Sequence, residues 1–265
     1  MRLASLSSGS SGNSIYVGSD ATHILVDTGC SKKRIEEGLN KLDLSLSDID
    51  AIFVTHEHSD HIAGLHTILK KYDIPVYATK GTISGIKSSD KKGEMVSSSF
   101  IEVKADEKVP VKDLVINPMT IMHDALDPVA YRISCGKKRV AIATDLGCFN
   151  DYTVDCLQNM DALLLEANHD VRMLQTGPYP YYLKKRILGE KGHLSNEKSG
   201  ELLCRILHND LKGILLGHLS KENNLPELAY ETVRVEIELG DNPFHGNDFN
   251  IMVAKRNELS DIITI

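Results

Sequence analysis

The chain has 265 residues, 42% of them hydrophobic, and a formal net charge of −7. That length supports one α/β domain with its own core, so residues 1–265 are expected to form a single domain. No stretch approaches the ~20 apolar residues of a membrane span, and the apolar content argues against disorder. The five cysteines, Cys30, Cys135, Cys148, Cys156 and Cys204, are odd in number and form no CxxC. Neither a disulfide framework nor a thiolate zinc knuckle is expected from them. The start, Met1-Arg2-Leu3-Ala4-Ser5, lacks the apolar run and small-residue site of a signal peptide, and a reduced, cytoplasmic protein is expected. A negative chain does not by itself attract nucleic acid, so a polyanionic substrate needs metals and a local basic patch here.

Along the chain, Ile15 to Val17 and His23 to Asp27 read as strands paired around Gly18-Ser19-Asp20. Lys32 to Leu42 has helical spacing, with Ile35, Leu39 and Leu42 on one face. Ala51 to Thr55 is a short buried strand, Ile62 to Tyr72 a helix, and Pro75 to Ala78 the next strand. Val96 to Met122 reads as a run of strands in which Pro110 and Pro118 limit pairing. Tyr131 to Cys135 and Arg139 to Thr144 pair across Gly136-Lys137-Lys138. Ala162 to Glu166 and Gly213 to Gly217 are buried strands. Ser195 to Leu207, capped by Ser195, and Pro226 to Leu239 are helices. Two strand-rich halves with flanking helices imply sheet packed on sheet with helices outside.

The chemistry concentrates in His56-Glu57-His58-Ser59-Asp60-His61, between an apolar strand and a helix. In an extended turn, positions 56 and 58 face one way, while 60 and 61 enter the helix and address a neighbouring volume. Four N/O donors so arranged suit two adjacent ions. This H-x-H-x-D-H motif resembles the metallo-β-lactamase superfamily, and the resemblance implies that family's αββα sandwich, two mixed β-sheets flanked by helices. Val26-Asp27-Thr28-Gly29 looks like the family's strand-end motif, whose Asp supports the metal loop. The resemblance then implies one site of His56, His58 and His123, a second of Asp60, His61 and His218, and Asp145 bridging both. Two divalent ions so held, Zn, Mn or Fe, stand roughly 3.5–4 Å apart and acidify a bridging water, which serves as the nucleophile. Cys148, three residues beyond Asp145, is read as a structural cysteine rather than a ligand.

Class B lactamases are usually exported, and glyoxalase II enzymes lack two features present here. Glu166-Ala167-Asn168-His169-Asp170 ends a strand, and Gly192-His193-Leu194-Ser195 opens a helix. The pair resembles the transfer-RNA 3′-processing endonucleases, in which an acidic residue orients a histidine that protonates the leaving oxygen. That resemblance implies His193 as general acid and Glu166 as its orienting carboxylate, with Asp60 counted beside them as a catalytic group. His169 is a candidate for substrate contact or outer-shell support. Tyr179-Pro180-Tyr181-Tyr182-Leu183-Lys184-Lys185-Arg186 combines aromatics with a basic run, and Tyr181, Lys184, Lys185 and Arg186 are candidate nucleic-acid contacts.

Together with Ser8-Gly9-Ser10-Ser11-Gly12-Asn13, His123-Asp124-Ala125, Gly192-His193-Leu194-Ser195-Asn196 and the Gly217 to Asn224 segment, these motifs look like the YycJ family, also called WalJ or VicX. The resemblance implies a 5′-to-3′ exonuclease on double-stranded DNA, activated by Mn, with a place in mismatch repair. Competing expectations are an RNA-processing nuclease, a cyclic-nucleotide phosphodiesterase, and a non-catalytic regulatory protein. A long β-CASP insertion has no room between Asp145 and His218. The sequence leaves the oligomeric state open, a homodimer included.

Overall fold

The buried strands alternate apolar side chains toward two different cores, and this makes them layers rather than a surface. The computed structural model describes residues 1–90 and 100–265. One seven-stranded sheet runs, in spatial order, β14 (Ile263–Thr264), β1 (Arg2–Ser7), β2 (Ser14–Gly18), β3 (His23–Val26), β4 (Ala51–Phe53), β5 (Val76–Thr79) and β6 (Phe100–Val103). The other runs β13 (Ile251–Val253), β12 (Gly213–Gly217), β11 (Ala162–Glu166), β10 (Lys138–Ala143), β9 (Val129–Cys135), β8 (Leu114–Thr120) and β7 (Val109–Val111). Both mix parallel and antiparallel pairs. Ile24 and Val26 of β3 face the other sheet, while Leu25 packs outward beneath helices α1 (Lys32–Asn40) and α3 (Leu65–Leu69). Likewise Leu164 of β11 and Leu215 of β12 point inward, and Leu163, Leu165, Ile214 and Leu216 pack on α8 (Asn196–Ile206) and α9 (Pro226–Leu239). Strands covered on both faces read as unbroken apolar runs, and the αββα sandwich follows.

Phe53 and Tyr131 meet between the sheets, their ring centroids 5.4 Å apart edge to face. The Tyr131 hydroxyl donates to the Val54 carbonyl at 2.8 Å, a buried bond joining the two sheets. Tyr131→Phe is expected to cost about 1–3 kcal/mol, because a buried acceptor loses its donor. Urea unfolding would show it as a lower midpoint at an unchanged slope.

The expected elements recur with adjustments. The Ile62 to Tyr72 helix divides into α2 (Ser59–Ile62) and α3. Its start moves back into the metal motif, and the break lies at Gly64, whose N–H donates to the Thr28 carbonyl at 2.7 Å while the Asp60 carbonyl accepts from the Asn13 N–H at 2.8 Å. The Val96 to Met122 run resolves into β6, β7 and β8, with positions 96–99 outside the described residues. Pro110 lies on the edge strand β7 as expected, and at Pro118 β8 pairs only with β9. Gly136 turns β9 into β10 at φ +59°, a conformation that costs glycine nothing. Helices α4 (Lys80–Ser89), α5 (Asp151–Leu157), α6 (Val171–Thr176) and α7 (Tyr181–Ile187) were not expected individually. The C-terminal β14 returns to pair antiparallel with β1 in the first sheet.

Candidate metal centre

The polar cluster sits where strands of both sheets end. Asp27 follows β3, His56 follows β4, His123 follows β8, Asp145 follows β10 and His218 follows β12. Asp27, Asp145 and His218 leave their strands at φ 62°, 60° and 56°, so each chain turns sharply and aims its side chain across the sheet ends. Left-handed backbone at non-glycine residues is uncommon, and its recurrence here marks a site the fold must hold in place. His58 precedes α2 as its cap residue, while Asp60 and His61 lie within that helix. Gly29 lets the metal loop close: a Cβ there would come within 1.7 Å of the Asp60 carbonyl oxygen.

Donor atoms of His56, His58 and His123 lie within 4.8 Å of one another, and so do those of Asp60, His61 and His218. These are the two sets that the superfamily resemblance implies. Asp145 joins them: its Oδ2 is 3.2 Å from His61 Nε2, and its Oδ1 is 3.7 Å from His123 Nε2 and 3.4 Å from His218 Nδ1.

Hydrogen bonds select which imidazole nitrogen faces inward. His61 Nδ1 donates to Asp27 Oδ2 at 2.8 Å, and His218 Nδ1 donates to Glu166 Oε1 at 2.8 Å. His123 Nδ1 donates to the Gly192 carbonyl at 3.1 Å. Thr55 Oγ1 gives its proton to Asp27 Oδ2 and accepts from His56 Nδ1 at 3.0 Å. In all four, these bonds leave Nε2 facing the cluster, the arrangement metal-binding histidines adopt. His56 Nε2 and His218 Nε2 are buried without a hydrogen-bond partner, so the donor set fits a cation.

Electrostatics agree. Burial alone would lower the pKa of His61, yet the carboxylates of Asp145, Asp27 and Asp60 hold it well above the usual histidine range. Burial likewise opposes the shift of His218, but Asp145, Asp60 and Glu166 push it to about 10. His56 moves the other way, through burial and the neighbouring His61. Asp145, though buried, is held well below the carboxylate range by His218 and His61. The buried carboxylates thus demand positive charge among the imidazoles, which a divalent ion supplies when it displaces their protons.

Glu166, fully buried, receives four donors: His193 Nδ1 and His218 Nδ1 on Oε1 at 2.8 Å each, and the amides of Leu146 (2.8 Å) and Leu194 (3.2 Å) on Oε2. The expected pairing of Glu166 with His193 is present, and the contact to His218 was not foreseen. The His193 ring lies 5.2 Å from those of both His123 and His218, at the edge of the metal cluster. His169 is buried beside it, its Nδ1 3.3 Å from Asn168 Oδ1.

The basic run forms α7. Arg186 makes a two-pronged ion pair with Asp124, Nε to Oδ2 at 2.5 Å and Nη2 to Oδ1 at 3.0 Å. Asp124 Oδ1 in turn stands 3.5 Å from His123 Nε2, so Arg186 flanks the metal cluster. Lys184 is turned inward onto the carbonyls of Gln175 and Gly177, while Tyr181 is 80% exposed and Lys185 lies on the surface.

Several supporting residues were not singled out individually from sequence. Asn13 Nδ2 lies 3.2 Å from His61 Nε2, Ser8 Oγ accepts from the His218 amide, and Asn168 Nδ2 donates to the His218 carbonyl. Their one signal was membership of quoted motifs, since polarity alone does not separate a buried support from a surface loop. Asp27→Asn is expected to weaken metal binding about 10–100-fold by loosening His61 and Thr55. Titrating the metal-free protein with Mn or Zn would measure it, and unchanged affinity would remove Asp27 from this role.

A family profile described as the beta-lactamase superfamily domain matches residues 22–211. Over 228 residues the chain is 41% identical to the exodeoxyribonuclease WalJ of Streptococcus pneumoniae, covering 86% of this chain and 85% of that protein. It is 36% identical over 239 residues to the exodeoxyribonuclease YycJ of Bacillus anthracis, covering 90% and 89%. The chain belongs to the WalJ/YycJ family of the metallo-β-lactamase superfamily. The metallo-β-lactamase fold protein YhfI of Bacillus subtilis superposes with a TM-score of 0.68 at 16% identity over 98% of both chains, a likeness of fold. As a WalJ/YycJ family member the chain is an enzyme, a metallo-hydrolase, and its histidine–aspartate clusters suit divalent metals. No helix among the described residues is long and apolar enough to cross a membrane.

Proposed function

We propose that this WalJ/YycJ family member is a metal-dependent exonuclease that removes nucleotides from double-stranded DNA in the 5′-to-3′ direction, in the service of mismatch repair. The observation that carries the reading is the Glu166–His193 pair at 2.8 Å beside the metal cluster. Cleaving a DNA diester expels an alkoxide, which needs a proton as it leaves, whereas the thiolate of a thioester leaves without one. The names of the S. pneumoniae and B. anthracis relatives support DNA as substrate.

In this reading His56, His58 and His123 would hold one ion, Asp60, His61 and His218 a second, and Asp145 would serve both. Zn, Mn and Fe all suit imidazole and carboxylate donors, with Mn the activating ion. Divalent ions held there would supply an acidified water and positive charge for the phosphate oxygens. Asp27, Thr55 and Glu166 fix the ring orientations. Asp60, beside His61 and His218, completes the catalytic carboxylates. His193 presents its Nε2 to the departing oxygen and gives up a proton as the P–O bond breaks, while Glu166 stabilises the imidazolium. Arg186, Lys185 and Tyr181 line the approach of the polyanion on a chain whose net charge is −7. Lys184 braces α7 from beneath. Residues 1–265 act as one domain, in the cytoplasm, a setting supported by five free cysteines.

The test is a substrate panel with Mn- or Zn-loaded protein: end-labelled duplex DNA, RNA, cyclic nucleotides, nitrocefin and a thioester. Mononucleotides released progressively from DNA 5′ ends are expected. Preference for RNA or cyclic nucleotides would replace the substrate, and turnover of nitrocefin or thioester without diester cleavage would overturn the reading.

A further inference from the structure

A cavity of about 400 Å³ opens next to His193 on the side formed by the loop after Asp145, the start of α6 and the start of α8. Its size falls within the roughly 300–1,000 Å³ of small-ligand pockets. Its apolar walls are Phe149, Val171, Leu188 and Leu194. His193 lines this cavity and also borders the metal cluster, so one imidazole belongs to both volumes.

Lys198 lines the cavity, but its Nζ is held by Glu201 at 2.6 Å, and Glu190 adds a carboxylate. His169 also lines it. Asn168 Nδ2 already donates to the His218 carbonyl, so Asn168 Oδ1 accepts from His169 Nδ1. The bond network therefore leaves His169 Nε2 as a bare acceptor, buried and without a partner. Burial lowers the His169 pKa to about 4, which keeps the ring neutral. Apolar walls that include an aromatic ring suit the flat face of a nucleobase, and a neutral His169 adds no charge to them.

We propose that this cavity seats the terminal nucleoside of the DNA strand, the one whose oxygen departs on cleavage, with its base against the Phe149 wall. The assignment rests on the exonuclease reading and deepens it. The group that protonates the leaving oxygen must touch the nucleoside that carries that oxygen, and His193 is the residue shared by the two volumes.

The experiment compares two end-labelled duplexes with Mn-loaded protein, one with an ordinary 5′-terminal nucleotide and one with a tetrahydrofuran abasic residue there. Wild type is expected to lose about 5- to 150-fold in kcat/KM on the abasic end, the loss of one stacked base. Phe149→Ala is expected to lose a similar factor on the ordinary end and little more on the abasic end, since the two changes remove the same contact. Equal cleavage of the two duplexes by wild type would overturn the proposal without any variant. So would an equal loss by Phe149→Ala on both, the signature of a merely structural residue. Cleavage of neither duplex, with bis(p-nitrophenyl) phosphate still hydrolysed, would remove the exonuclease reading and this pocket with it.

Discussion

His193→Ala is expected to cut duplex DNA about 10²–10⁴-fold more slowly than wild type while keeping its fold and metals. The histidine is a partly exposed side chain at the rim, and Glu166 retains the His218 ring and the amides of Leu146 and Leu194 when it is removed. The deficit should shrink to a few-fold on bis(p-nitrophenyl) phosphate, whose leaving oxygen is stable without a proton. A substrate-dependent loss of this kind separates proton donation from binding and from folding. Steady-state kinetics on both substrates, with metal content measured on the same preparations, check it. Equal losses on both would place His193 in binding or structure instead. Glu166→Gln, which sequence reasoning would rank as a weaker copy of His193→Ala, should behave differently. Four N–H donors converge on this carboxylate, two of them from His193 and His218. An amide there sets its own NH2 against those donors and loosens a metal-facing imidazole. Its losses should therefore extend to the activated diester.

Asp145→Asn is expected to abolish activity on both substrates, by about 10³-fold or more, because on the proposed reading several kcal/mol of charge stabilisation would depend on metals it helps to hold. Asparagine is the informative replacement. The backbone at 145 has φ 60°, which asparagine tolerates, whereas alanine would add about 1–2 kcal/mol of strain. The carboxylate is buried among His61, His123 and His218. Losing its charge removes the anion that both clusters share, so metal content after dialysis should fall at both. Retention of two ions per chain with wild-type turnover would show that Asp145 does not hold the metals.

The sequence by itself determined the two sheets, while the set of residues expected to gather at their ends came from the family resemblance. Strands such as Ala162 to Glu166 and Gly213 to Gly217 are covered on both faces, so they appear as unbroken apolar runs whose ends can be located within a residue or two. The groups that gather at the centre sit at or just past those ends. The local motif His56 to His61 was legible for the same reason: four donors within six residues need no knowledge of distant contacts. Helices α5 to α7 were not foreseen individually, being short, and α7 hides its start behind Pro180. Only the tertiary structure decided the rest. The expected Ile62 to Tyr72 helix breaks at Gly64 because its N–H donates to the Thr28 carbonyl, a contact no local pattern encodes. Glu166 bonds to His218 as well as His193 because parallel β11 and β12 end side by side, Glu166 opposite Gly217. Arg186 reaches Asp124 across a long stretch of chain. The protonation of His61 and His218 against that of His56 depends on which carboxylates burial forces beside them. Periodicity reports burial one element at a time, whereas these features arise where elements meet.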